Sequence, residues 1–218
     1  MSSKPTLQVV KIGGNVIDNP SALASFLADF ASLEGPKILV HGGGKIATQM
    51  AATMGIESKM IEGRRVTDEA SLRIVTMVYA GWINKSIVAD LQALSSNSLG
   101  LTGPDGGIVL SKKRAAQPID YGYVGDIINV NASSLSGLVA AGFSPVFAPI
   151  TADASGQLLN TNADTMAQAL AIALSFAYDV TLTYCFEKKG VLLDPMDDDS
   201  VISSINPASF QDLKEKGI

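Results

Sequence analysis

Lys37-Ile-Leu-Val-His-Gly-Gly-Gly-Lys-Ile-Ala-Thr-Gln-Met50 is the stretch on which the fold turns. Ile38, Leu39 and Val40 form a short apolar run of the kind that makes a buried strand. Gly42, Gly43 and Gly44 break it. Beyond them Ile46, Met50 and Met54 recur every fourth residue, one stripe of a helix that Gly55 ends. Strand, glycine turn and helix in that order leave backbone N–H groups unpaired at a helix N-terminus, with no side chains in the way. Such a turn can receive an anion.

The loop alone does not say which anion. A phosphate-loop NTPase needs Gly-x4-Gly-Lys-Ser/Thr, and Leu39 and Ile46 stand at two of those positions, so that reading fails. Gly42, Gly44 and Ala47 satisfy the dinucleotide pattern G-x-G-x-x-G/A, with Glu62 near the spacing of a ribose-binding acid. A tight turn with no ligand is the third possibility. Alone, the loop cannot decide.

Leu7 to Ile12 is a strand broken by Gly13-Gly14-Asn15. A helix is expected near 20–33, with Pro20 in its first turn and Leu23, Phe26, Leu27 and Phe30 on one face. Ser58 to Thr67 has weak strand character around a glycine and suits a hairpin. Asp68 caps a long helix to about Leu94, whose middle, Ile74 to Ile83, is apolar almost all round. A helix buried on more than one side in a domain this size predicts a homodimer through 68–94. Short strands follow between Gly100 and Val130, then a helix capped by Asn131, a strand at Val146–Ile150 and an alanine-rich helix ending near Ala177. Val180 to Phe186 is a further strand, and Pro207 opens a last helix. The acidic run Asp197 to Asp199 reads as a solvated loop. Alternating strands and helices predict an α/β three-layer sandwich: a mainly parallel central sheet with helices on both faces.

The chain has 218 residues, 47% of them hydrophobic, which suffices for one large domain or two small lobes. A net charge of −5 argues against a nucleic-acid partner. Any anionic substrate must then be held by a few well-placed cations and backbone N–H groups. One cysteine, no signal core and no membrane-length apolar run fit a cytoplasmic protein that does not enter a membrane.

Lysine in a buried strand is costly unless its ammonium is paired, so Lys11 in Val10-Lys11-Ile12-Gly13-Gly14 is a candidate cation between two anion sites. Asn160-Thr-Asn162-Ala-Asp164 ends a polar loop and opens a helix, and can set a carboxylate against Lys11. Ordinary capping by Asn162 explains only one residue of that cluster. Arg65 offers a planar fork for a carboxylate, with Arg64 its rival. His41, the sole histidine, has no metal or triad partner and reads as structural, and Cys185 reads as core.

Lys11-Ile-Gly-Gly-Asn15, Val40-His-Gly-Gly-Gly44, Gly63-Arg-Arg-Val-Thr-Asp68, Tyr121-Gly-Tyr-Val-Gly-Asp126 and Leu159-Asn-Thr-Asn-Ala-Asp164 occur in the order found in the amino acid kinase family. The chain resembles that family over nearly its whole length, and within it the branch acting on N-acylated glutamate. The resemblance implies transfer of the ATP γ-phosphoryl to the side-chain carboxylate of an N-acyl-L-glutamate, acetyl or succinyl, in arginine biosynthesis. It implies Lys11 and Asp164 as catalytic residues, Lys11 bridging the phosphoryl groups and Asp164 orienting it. Gly13 and Gly14 would meet the nucleotide phosphates, Gly43 and Gly44 the substrate, Arg65 its α-carboxylate and Asn160 its backbone. Mg2+ would arrive with ATP, with no protein ligand assigned. The lobes implied are 1–178 for acylglutamate and dimerisation and 179–218 for the start of the nucleotide lobe. The dinucleotide reading leaves Lys11 and the Asn160–Asp164 loop unused, and so becomes a remote alternative.

Two departures stand out. Relatives carry a second catalytic lysine in a Gly-Met-x-x-Lys stretch after a helix like the one Pro207 opens, and the sequence stops at Ile218, where that stretch would begin. A catalytically silent acylglutamate-binding protein of the same fold is the corresponding alternative. Tyr184 to Gly190 replaces the usual Thr/Ser-Asp-Val before a glycine turn, so the adenine surroundings differ. Starting directly at the first strand, without an N-terminal helix, the chain is expected to be an arginine-insensitive dimer.

Overall fold

Period-two alternation in the first strand sets the layers. The computed structural model describes residues 4–61, 64–186 and 188–217, so Glu62, the candidate ribose acid, lies outside the described residues. In β1 (Thr6–Ile12), Leu7 and Val9 face one way and Val10 and Ile12 the other. The Gly13-Gly14 turn leads into α1 (Gly14–Ile17) and then α2 (Pro20–Ser32), where Asn19 accepts from the N–H groups of Ser21 and Ala22 and Pro20 sits in the first turn. β2 (Lys37–His41), buried throughout, runs into the second glycine turn and α3 (Gly44–Thr53).

The weak strand character at 58–67 becomes a two-residue-a-side hairpin of β3 (Met60–Ile61) and β4 (Arg64–Arg65). The long helix is present from α4 (Glu69–Val75) to α5 (Asn84–Ala93), but its apolar middle, Thr76–Ile83, is wound as a π-helix. The wider turns push Tyr79 and Ile83 against Gly43.

The next strands are β5 (Ser98–Leu101), β6 (Val109–Lys113) and β7 (Gly125–Val130), followed by α6 (Ala132–Ala140), capped by Asn131. The single strand expected at Val146–Ile150 is two, β8 (Ser144–Phe147) and β9 (Ile150–Ala152). Pro149, which has no N–H for a ladder, lies between them where the chain changes sheets. β10 (Leu158–Asn160), α7 (Ala163–Leu174) and β11 (Asp179–Cys185) complete this unit.

Five strands form a wholly parallel sheet in the order β11-β1-β2-β8-β5. On one face Val10, Ile12, Leu39 and Val146 pack under α2, α3 and the long helix. On the other, Leu7, Val9, Val40 and Phe147 pack under α6 and α7. The expected three layers are therefore present. Beside them stands a second, mainly antiparallel sheet, β10-β9-β6-β7, that the alternation of elements did not predict.

The chain divides into two compact units at Cys185/Phe186, because β11 pairs along its full length with β1. In the second unit Leu192 bridges Val201, and α8 (Pro207–Glu215) starts from a capping box between Asn206 and Ser209. Its acidic run lies in an exposed loop, as expected, with Asp198 and Asp199 paired to Lys188 and Lys189. Among the described residues no helix is long and apolar enough to cross a membrane.

Candidate active site

Lys11 shares the β1 face of Leu7 and Val9, the face that α7 covers. Its position at the C-terminal end of the strand brings it to the first turn of α7, where Asp164 lies. Nζ stands 2.7 Å from Asp164 Oδ1. Asn162 caps that helix by accepting from the Thr165 N–H, so ordinary capping and the placing of the carboxylate coexist in one loop.

β1 and β2 are neighbours, so their glycine turns lie side by side at the C-terminal ends of parallel strands, where ligands bind in open α/β sheets. They are stitched together by the Gly42 N–H donating to Ile12 O at 3.2 Å, and the first turn is tied to β11 by the Gly13 N–H on Cys185 O at 3.2 Å. Gly43 has φ +146°, and a Cβ there would collide with Ile83 and crowd Tyr79, so both backbone and space require glycine.

Among the described residues, the partners that hold Arg65 are neutral. Its guanidinium donates to Ser58 Oγ at 2.6 Å, to Gly44 O at 3.0 Å and to Thr48 Oγ1 at 2.7 Å. Among the described residues no carboxylate pairs with it. Its charge is positioned but not neutralised. Asn160 donates from Nδ2 to Thr67 Oγ1 at 3.0 Å.

One open cleft of about 250 Å³ is lined by Lys11, Gly13, Gly14, Gly43, Gly44, Arg65, Asn160 and Asp164. Every residue expected at the site is thus on its wall. Tyr79 and Arg114 are there too, and the sequence reading missed both. Tyr79 is hidden in the apolar stretch of the long helix; burial pushes its phenol pKa up, opposed by the Arg65 charge and hydrogen bond. Arg114 ends Lys112-Lys113-Arg114, which reads as a solvated basic run, yet it pairs with Asp126 through Nε at 3.0 Å and Nη2 at 2.5 Å. No sequence signal separates it from its neighbours.

Cys185 is half-buried, and burial pushes its thiol pKa up, with the Lys11 charge acting the other way. The Tyr184 hydroxyl, in the stretch that departs from the family pattern, donates to Asp164 O at 3.3 Å. Among the described residues no group of three His, Cys, Asp or Glu could hold a metal ion.

The model of the amino acid kinase family matches residues 6–218. The chain belongs to that family. It is 56% identical over 213 residues to the acetylglutamate kinase of Cytophaga hutchinsonii, covering 97% of this chain and 81% of that one. The N-acetylglutamate synthase of Neisseria gonorrhoeae shares its fold with a TM-score of 0.79 at 23% identity, covering 96% of this chain and 47% of that one. Isopentenyl phosphate kinase from T. acidophilum does so with a TM-score of 0.60 at 18% identity, covering 96% and 83%. The dinucleotide reading of Gly42, Gly44 and Ala47, and the reading as a silent binding protein, have no support among these likenesses.

Proposed function

We propose that the protein transfers the γ-phosphoryl group of Mg-ATP to the side-chain carboxylate of N-acetyl-L-glutamate, as in the second step of arginine biosynthesis. The observation that carries this reading is a paired lysine between two bare glycine turns, in a chain 56% identical to an acetylglutamate kinase. Both reactants are anions, so the site must offset their repulsion and stabilise charge on the phosphoryl group in flight. Lys11 bridges that group, and Asp164 keeps the ammonium aimed. Gly13 and Gly14, without side chains, let the backbone approach the nucleotide phosphates; Gly43 and Gly44 do the same for the acceptor carboxylate. Arg65 takes the α-carboxylate, and Asn160 the acyl amide. A carboxylate oxygen bonds to the γ-phosphorus as the bond to the β-bridging oxygen breaks, giving an acyl phosphate and ADP. The acylated nitrogen cannot attack that acyl phosphate and close a ring. Magnesium enters as part of the nucleotide substrate, with no protein ligand assigned to it.

Residues 1–178 then form the acylglutamate and dimerisation lobe and 179–218 belong to the nucleotide lobe, in a cytoplasmic homodimer. The exposed Met77 and Trp82 on the long helix support that pairing.

Arg114 favours a second reading of the acyl group. Its N–H bonds Val124 O at 2.8 Å, and Val124 bridges Asn160. It therefore lies two strand spacings, about 10 Å, beyond Asn160 along the cleft wall. A succinyl chain leaving an amide held at Asn160 would be long enough to reach toward it, and an acetyl group would not. The test is ADP release from Mg-ATP with N-acetyl- or N-succinyl-L-glutamate, with the acyl phosphate trapped by hydroxylamine. Release that depends on neither acylglutamate overturns the proposal, and the ratio of the two kcat/KM values decides the acyl group.

A further inference from the structure

His41 and Asn84 are buried beneath the second glycine turn, 0% and 1% exposed, and the phosphoryl transfer just described uses neither. His41 lies on the β2 face of Leu39, toward the long helix, which is why it meets Asn84 at the start of α5. Its Nδ1 is 2.9 Å from Gly42 O. A carbonyl only accepts, so Nδ1 carries the proton. Nε2 then accepts from Asn84 Nδ2 at 3.1 Å. The same amide nitrogen donates to Val146 O at 2.9 Å, and Asn84 Oδ1 accepts from Lys85 Nζ at 3.0 Å. Each atom of the Asn84 amide thus has a partner that permits only this orientation, and the imidazole tautomer follows from it. Burial lowers the His41 pKa to about 4, so the ring is neutral at neutral pH. A Cβ at Gly100 would collide with Asn84 Oδ1, so even the backbone beside the network is cleared for it.

The Gly42 carbonyl and the Gly43 N–H belong to one peptide unit. A planar trans peptide points the two in opposite directions. With the carbonyl held against the buried ring, the Gly43 N–H is turned the other way, to the side of the cleft that Gly43 lines. That peptide joins two glycines and is followed by a third, so little else in the chain resists its rotation. Rotated, it would present an oxygen to an anionic substrate where a donor is needed.

We propose that His41 and Asn84 are positioning residues, a clip that locks the Gly42–Gly43 peptide with its N–H toward the acceptor carboxylate. This rests on the acylglutamate reading of the cleft.

His41 is the only histidine, so its ring signals are unambiguous. Long-range proton–nitrogen correlation spectra of the wild-type protein at pH 7 are expected to show the Nδ1–H tautomer, and an Nε2–H ring overturns the clip. His41→Asn keeps an amide nitrogen close to the place of Nδ1, whereas His41→Gln keeps one close to Nε2. His41→Asn is expected to hold kcat/KM for N-acetyl-L-glutamate within about threefold. His41→Gln is expected to lose at least about tenfold, with KM for ATP unchanged, as when one oxyanion donor is misplaced. Equal kinetics in the two variants, or a loss that follows the folded fraction, overturns the proposal. Calorimetric binding of N-acetyl-L-glutamate to the same variants reads the clip without turnover. Wild-type protein that binds but does not turn over, with Nδ1–H in place, sinks the kinase reading alone. Turnover with an Nε2–H ring sinks the clip alone.

Discussion

Lys11 Nζ sits 2.7 Å from Asp164 Oδ1, with 14% of the lysine side chain and 51% of the aspartate side chain exposed. The asymmetry suits the role proposed for the pair. A lysine that deep needs a partner, while a half-solvated carboxylate gives up little hydration to provide one and leaves the ammonium free to face the cleft. Lys11→Ala should lower kcat by about 10²–10³-fold or more, since on the proposed reading it removes the charge that meets the transferring group. Asp164→Asn keeps the shape but not the aim, and a misplaced ammonium of about 1 Å can cost on the order of 10²-fold. Steady-state kinetics with melting temperatures for both variants checks this. A Lys11→Ala protein that keeps wild-type kcat refutes the assignment.

Arg65→Lys should not behave as a conservative change. The three neutral acceptors around the guanidinium fix its plane and leave its charge for a substrate carboxylate. A lysine carries the charge but not the fork. KM for N-acetyl-L-glutamate should rise about 10-fold or more, the loss of one or two charged hydrogen bonds, with KM for ATP unchanged. A rise in KM for ATP alone would move Arg65 to the nucleotide.

How much of this was legible in the sequence follows from which contacts are local. The two glycine turns and Lys11 are readable because strand alternation and turn chemistry act over a few residues, and the parallel pairing of β1 with β2 then makes the turns adjacent. Asp164 is readable as a helix start, and its meeting with Lys11 follows from the face that α7 covers. The second sheet is not readable, because β9 and β10 are three residues each and pair through a switch at Pro149 rather than through any pattern of their own. Arg114 and Tyr79 reach the cleft by tertiary packing from a basic run and an apolar helix, and neither environment announces a site. His41 has no metal or triad partner in the sequence to mark it, and its partner, Asn84, lies 43 residues away.

Trp82 is 70% exposed and Met77 53%, both on the π-helical segment that also packs Tyr79 against Gly43. Two large apolar side chains in water on one helix support the proposed dimer interface, and a charge placed within it would be desolvated without a partner. Trp82→Glu should convert a dimer to a monomer in sedimentation velocity. A wild-type protein that already sediments as a monomer at micromolar concentration removes the dimer proposal.

His41 makes a prediction about stability that is independent of catalysis. Its pKa is about 4 in the folded chain, lowered chiefly by burial, against about 6.5 when unfolded. Between those values the unfolded state binds a proton that the native state refuses. The stability from this group is therefore complete above pH 6.5, falls as the pH drops toward 4, and levels off below. From pH 7.5 to pH 5 the loss should be about 2 kcal/mol. Few other groups titrate in that window, since the chain has no second histidine. Urea unfolding at pH 7.5, 6 and 5 should thus show a falling midpoint in the wild type and a much flatter one in His41→Asn, which has nothing to protonate. Parallel slopes in the two proteins would mean that the ring is not held neutral by its surroundings, and the tautomer on which the Gly42 clip depends would lose its support.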